Sequence, residues 1–218
     1  MKRAFSLPEV LVVMFLSGTV LSMIAALLLP SLWMWRVESA RGEAQQGVMM
    51  VTSRLHRMLM NSQLETVTIA PDHAAIGFQE IVENGAPFDA TTGMPIMQDR
   101  FRVFFLDAAQ KRVVTKTWGP TQPPPNLAGY DFSKTATNPQ RLSVADLQQI
   151  CATQNGTEQV LARNVSIFNV TDSDGNPQIL DPPISCHVEC KIETSQQGTI
   201  DSQTCRMDMS ANPRNMRW

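Results

Sequence analysis

The feature that most constrains the fold is an apolar run near the N-terminus. From Val10 to Leu29 the sequence carries no charged residue. A helix of about 20 residues can span the hydrocarbon core of a bilayer, which is about 30 Å thick. Lys2 and Arg3 precede the run, and positive charges are retained on the cytoplasmic side. The pattern therefore predicts a single membrane helix with its N-terminus in the cytoplasm, followed by an exported domain.

A cleaved signal peptide and a plain membrane anchor are the alternatives. A signal peptide has a shorter apolar core that ends at a small-residue cleavage site. This run instead continues to Pro30 and is followed by Trp33 and Trp35, which suit the outer membrane interface. A plain anchor gives no reason for Glu9, because a carboxylate at the edge of a membrane segment is costly. The position of Glu9 therefore favours a more specialised membrane segment.

The stretch AFSLPE, residues 4–9, resembles the processing site of type IV prepilins and type II secretion pseudopilins. The resemblance implies that a prepilin peptidase cuts between Ala4 and Phe5 and that the new amine of Phe5 is methylated. Glu9 would then serve assembly by neutralising that amine, its own or a neighbour's, at membrane depth. The sequence departs from the family pattern in two places, since Ala4 stands where Gly is usual and Pro8 replaces an aliphatic residue. Proline is tolerated in a first helical turn.

A second stretch, VLARNVSIFNVTDSDGN, resembles a segment of J-type minor pseudopilins and of similarly built minor pilins. The matching residues are Val165, Phe168, Val170, Asp172, Asp174 and Gly175. The resemblance implies a structural subunit that helps to initiate or cap the pseudopilus of a type II secretion system for protein export. Its partners would be other minor and major pseudopilins or pilins, the prepilin peptidase and the bacterial inner membrane. A minor pilin of a type IV pilus or a DNA-uptake system is the alternative.

The remaining pattern predicts an α+β, pilin-like fold with four segments. These are a leader (1–4), a transmembrane helix (5–35), an amphipathic continuation of that helix (36–62) and an exported β-rich domain (63–218). The continuation has apolar or small residues at helical spacing, which are Val37, Ala40, Ala44, Val48, Val51, Leu55 and Met58. Antiparallel sheets with long loops should follow, including a proline-rich loop over 118–140 and a short helix capped by Ser143. The segment 158–177 should form one long strand ending in a turn.

Four cysteines, Cys151, Cys186, Cys190 and Cys205, lie in the exported part, where an even number predicts disulfides. Cys186 and Cys190 are four residues apart in a predicted strand and hence about 13 Å apart. This exceeds the roughly 7 Å that a disulfide allows between Cα atoms. A hairpin with its turn at Gln197–Gly198 would place Cys190 opposite Cys205. We therefore expect the pairs Cys190–Cys205 and Cys151–Cys186.

Other chemistry has weaker support in the sequence. A metal site at CHVEC is an alternative to disulfides, but His187 should point away from the face that carries the two cysteines. The sequence DSDGN, residues 172–176, fits a turn better than a calcium loop, because its glycine comes too early. We expect no cofactor and no metal. The net charge of -2 gives no electrostatic reason for direct binding to nucleic acid. We find no local catalytic motif and expect no enzymatic activity, with a membrane-anchored exported binding protein or enzyme as the remaining alternative.

Overall fold

A computed structural model describes residues 7–82, 87–91, 93–119, 130, 140–154, 156–173, 180–196 and 199–214 of the chain. The elements in chain order are α1 (Leu7–Met60), β1 (Thr68–Ile69), β2 (Ala75–Ile81), β3 (Met97–Asp107), β4 (Arg112–Trp118), α2 (Val144–Ala152), β5 (Gln159–Arg163), β6 (Val165–Thr171), β7 (Ile184–Gln196) and β8 (Thr199–Ala211). One antiparallel sheet has the order β1-β2-β3-β4-β5, and a second has the order β6-β7-β8. A long N-terminal helix and two antiparallel sheets confirm the predicted α+β layout.

The two predicted helical segments form one helix, α1, with Pro30 inside it. Proline has no N–H, so it cannot donate to the carbonyl four residues earlier. The Ser31 hydroxyl lies beside this gap and donates to the carbonyl of Leu27 at 2.9 Å. The helix nevertheless continues through Pro30.

The chain divides by its internal contacts into two units, and the boundary falls between Gly42 and Glu43. The last part of α1 thus belongs to the same unit as both sheets. The predicted stripe positions that are buried in this unit are Ala44, Val48, Val51 and Leu55. Gly47 allows close approach to β5, because a Cβ atom there would lie 3.1 Å from the Cβ of Ala162. The apolar face of this part of α1 therefore packs on the five-stranded sheet at β5, and Thr52 reaches the second sheet, since its hydroxyl lies 3.0 Å from the sulfur of Met207 in β8.

Helix α2 covers one face of the five-stranded sheet. The Ser143 hydroxyl accepts a hydrogen bond from the backbone N–H of Asp146, so the predicted N-cap is confirmed. The buried residues between α2 and the sheet include Ala70, Ala75, Phe101, Val103, Trp118, Leu142, Leu147 and Ile150. Gly77 lies directly beneath the helix, since a Cβ atom there would lie 3.0 Å from methyl carbons of Leu142 and Leu147.

The single long strand expected over 158–177 is wrong. It is interrupted at Asn164, which has a φ of 58° and separates β5 from β6. Asparagine tolerates this left-handed conformation better than most residues do. The chain changes sheets at this point, because β5 pairs with β4 and β6 pairs with β7. The predicted strand is therefore two strands in two sheets.

Strands β7 and β8 form a hairpin that pairs without a register shift from Ile184↔Ala211 to Gln196↔Thr199. The connection spans residues 197–198, so the turn expected at Gln197–Gly198 lies outside the described residues. Cys190 and Cys205 are direct partners in this register. This is the register that the predicted Cys190–Cys205 disulfide requires.

Candidate functional site

Glu9 lies in the first turn of α1 as the structure describes it. The first turn of a helix exposes backbone N–H groups and carries partial positive charge, which favours a carboxylate there. Ala4 and Phe5 lie outside the described residues, so the cleavage site and the methylated amine stay predictions. The assembly role of Glu9 also stays a prediction, because it depends on that amine.

The part of α1 that follows Glu9 is long and apolar enough to be a candidate membrane span. Its most apolar 18-residue window has a mean hydropathy of 2.4, and none of that window is buried. Phe15 and Leu27, for example, are each 73% exposed. The hydroxyls of Ser17, Thr19 and Ser22 donate to backbone carbonyls of the same helix at 2.8–3.0 Å. These internal bonds satisfy polar groups that would otherwise be costly in hydrocarbon.

Cys190 and Cys205 face each other on the inner side of the three-stranded sheet. The structure records both as thiols, with Cys190 fully buried and Cys205 half-exposed. Burial, together with the nearby Cys205, raises the pKa of the Cys190 thiol to about 11. Directly opposed residues of an antiparallel pair have Cα atoms about 4.5–5.5 Å apart, within the range that a disulfide needs. The disulfide itself stays a prediction.

Cys151 and Cys186 lie on different elements. Cys186 is buried on the inner face of β7, beside Val170 of β6. Cys151 lies in α2 and packs against the core beneath that helix. Burial raises the pKa of each thiol to about 12, so both thiols are protonated at neutral pH and are weak nucleophiles. Both are recorded as thiols, and the pairing of Cys151 with Cys186 stays a prediction.

The side chains of the CHVEC segment, residues 186–190, alternate between the two faces of β7, as predicted for a strand. Cys186 and Cys190 are buried, whereas His187 is on the opposite face. There the His187 ring lies against the carboxylates of Asp208 and Glu189. Within the parts of the chain that the structure describes, no group of three or more His, Cys, Asp or Glu residues could hold a metal ion. The segment 174–179, which includes most of the DSDGN sequence, lies outside those parts.

Lys116 was not singled out by the sequence, yet the structure buries this cation. Its side chain is 2% exposed, and its ammonium group lies 3.1 Å from Glu158 Oε1. It also donates to the carbonyls of Ile150, Cys151 and Thr153 at 2.9–3.1 Å. These carbonyls end α2, where the helix carries partial negative charge. Lys116 thus fastens the end of α2 to the sheet.

A cavity of about 440 Å³ lies beside this lysine, between the end of α2 and the β3–β4 hairpin. Alanine, valine and phenylalanine side chains line part of it, and its polar lining includes Asp72, Gln148 and Gln154. Two of its charged lining pairs are internally compensated, namely Lys116 with Glu158 and Arg112 with Asp107. Cys151 is the thiol in the lining, and its raised pKa makes it a weak nucleophile. The Cys151 thiol in this lining is therefore not an activated nucleophile.

Tyr130 anchors the centre of the long proline-rich segment. Its ring packs edge-on against Phe101 with centroids 5.5 Å apart. Its hydroxyl donates to Asp146 Oδ2 and accepts from the backbone N–H of Ser143, both at 2.8 Å. Burial raises the pKa of Tyr130, and the Asp146 carboxylate adds to the shift. The loop expected over 118–140 is thus attached to the N-terminus of α2 at Tyr130, while 120–129 and 131–139 lie outside the described residues.

Comparison of the chain with protein-family models, with curated proteins and with solved structures found no match.

Proposed function

We propose that the protein is a minor pseudopilin, of the J type, that helps to initiate or cap the pseudopilus of a type II secretion system. The N-terminal half of α1 would hold the subunit in the bacterial inner membrane before assembly. The second unit would lie on the extracytoplasmic side and contact other pseudopilins. The proposal includes no catalytic role and no cofactor.

The observation that carries this proposal is the position of Glu9 in the first turn of a 54-residue helix. The helix combines an exposed apolar part with a part that packs on the sheets. An isolated anchor has no need of an acidic residue at the start of its apolar run. A filament subunit does, because a carboxylate can compensate a terminal amine in a medium where each charge alone is expensive.

The direct test is to replace the carboxylate and measure assembly. Glu9→Leu should insert into the membrane normally but enter filaments poorly. Breaking a buried ion pair costs about 3–5 kcal/mol, so we expect a reduction of about 100-fold or more in incorporation at limiting subunit. Glu38→Leu is the matched control, since Glu38 is an exposed glutamate of the same helix beyond the apolar part. Normal incorporation and secretion with Glu9→Leu would contradict the proposal.

A minor pilin of a type IV pilus or a DNA-uptake system shares every feature used above. Mild detergent extraction of the tagged full chain from its native host, followed by identification of co-purifying subunits, separates these systems. Pseudopilins of the secretion machinery should be recovered. Recovery of pilus subunits alone would assign the protein to the alternative system.

A further inference from the structure

Strand β8 forms one edge of the three-stranded sheet. It runs from Thr199 to Ala211, and among the described residues its second edge pairs with no strand. Natural edge strands are usually short, carry charged side chains, or are interrupted by proline or a bulge. β8 contains no proline, glycine or lysine, and its pairing with β7 has no register shift. An edge of this length without a proline or a bulge is open to pairing with a strand whose charges complement its own.

The apolar inner face of the three-stranded sheet is only partly covered at β8. On β7 the inward residues Cys186, Val188 and Cys190 are buried. Their partners on β8 are Met209, Met207 and Cys205, and all three are only half-buried. A further strand beside β8 would cover these side chains. The apolar layer is therefore incomplete at this edge.

The charges on the outer face of β8 specify which strand would fit. Arg206 and Asp208 are both exposed and are separated by one inward residue, Met207. A second β8 strand, running antiparallel with Met207 opposite Met207, places each Arg206 opposite an Asp208. Opposite charges in directly opposed positions stabilise a strand pair, and like charges destabilise it.

Neighbouring registers are unfavourable. A shift of one residue would put inward side chains on the outer face. A shift of two residues places either Arg206 opposite Arg206 or Asp208 opposite Asp208. Asp208 already contacts His187, but its side chain is 73% exposed and so remains accessible to a second partner.

We propose that two copies of this chain associate through their β8 edges, in an antiparallel pair centred on Met207. The contact is isologous, because the same strand serves both copies. It would join the two three-stranded sheets into one and bury the inner-face methionines of both strands. This inference does not depend on the proposed role in secretion.

Charge exchange at the two positions tests the proposal with the full chain in detergent micelles. Two differently tagged wild-type copies should co-purify. Arg206→Asp in both copies, or Asp208→Arg in both copies, should each lower co-purification about tenfold or more, because attractive cross-strand pairs become repulsive. Mixing an Arg206→Asp copy with an Asp208→Arg copy should restore it, since opposite charges then face each other again. Lys191→Asp, on the outer face of the neighbouring strand, is the matched control and should have no effect.

Restoration in the mixture is the decisive result, since a variant that only damages folding cannot be rescued by a second damaged variant. The proposal is overturned if wild-type copies do not co-purify, or if they co-purify equally well with either single variant. It is also overturned if the mixture fails to restore association while both variants remain folded by circular dichroism. Pairing of this edge with a different filament subunit alone would equally overturn it. None of these measurements requires a filament or secretion, so they succeed or fail separately from the Glu9 test.

Discussion

Replacement of Lys116 by methionine should release the end of α2 from the five-stranded sheet. Methionine keeps most of the apolar stem but removes an ammonium group that is bonded to three carbonyls and to Glu158. Removing one partner of a buried ion pair costs about 3–5 kcal/mol. The Glu158 side chain is 24% exposed, so water can reach it and we take the lower end, about 3 kcal/mol. The ammonium also lies 4.6 Å from the centroid of the Phe105 ring, and this contact is lost as well.

Hydrogen exchange of α2 peptides, measured by mass spectrometry, reports this loss of local stability directly. A local cost of about 3 kcal/mol corresponds to roughly 100-fold faster exchange, at about 1.4 kcal/mol per factor of ten. Lys191→Met is the matched control, because the Lys191–Glu193 pair has the same 3.1 Å distance but side chains that are 47% and 54% exposed. Surface pairs of this kind contribute about 0–1 kcal/mol, so exchange in β7 should change less than about tenfold. Unchanged protection of α2 in Lys116→Met would refute the argument.

Two further predictions concern the exported unit. Non-reducing proteolysis of protein from an oxidising compartment should yield a peptide in which Cys190 is linked to Cys205, and a peptide linking Cys186 to Cys190 would be incompatible with the observed strand. Gly77→Ala should destabilise the unit by about 1–3 kcal/mol, as overpacking of a core does, because the added methyl group meets Leu147 of α2, and Leu142 just before that helix, at 3.0 Å. Gly18→Ala, where nothing lies within 4 Å, should not lower stability, and thermal denaturation monitored by circular dichroism compares the two variants.

The sequence predicted those elements whose patterns are long or strongly periodic. The apolar run and the stripe from Val37 to Met58 were both predicted to be helical, and they form one helix. The first is predicted by its length and the second by a period near 3.6 residues over several turns. The facing of Cys190 and Cys205 followed from strand alternation and the position of a glycine in the sequence. Both predictions rest on local geometry that tertiary contacts did not override.

The failures involve features that leave no periodic signal in the local sequence. Strand β6 leaves the sheet of β5 because one residue, Asn164, adopts a left-handed conformation, and the surrounding alternation does not signal the break. Lys116 alternates with Val114 and Trp118 on the face toward α2, and this period-2 pattern could have marked it as inward. Its partners, the carbonyls that end α2, were nevertheless impossible to identify without the fold. Tyr130, which is hydrogen-bonded to Asp146 and Ser143, lies in a segment with no periodic signal.

The N-terminal mass of the mature chain tests the central claim most directly. If the protein is a prepilin-type subunit, protein purified from its native host should lack residues 1–4 and begin at Phe5 with one added methyl group on the amine. Intact mass together with the mass of the N-terminal peptide resolves both changes. Recovery of mainly the uncut form that begins at Met1, or of a form cut after Pro30, would contradict the account.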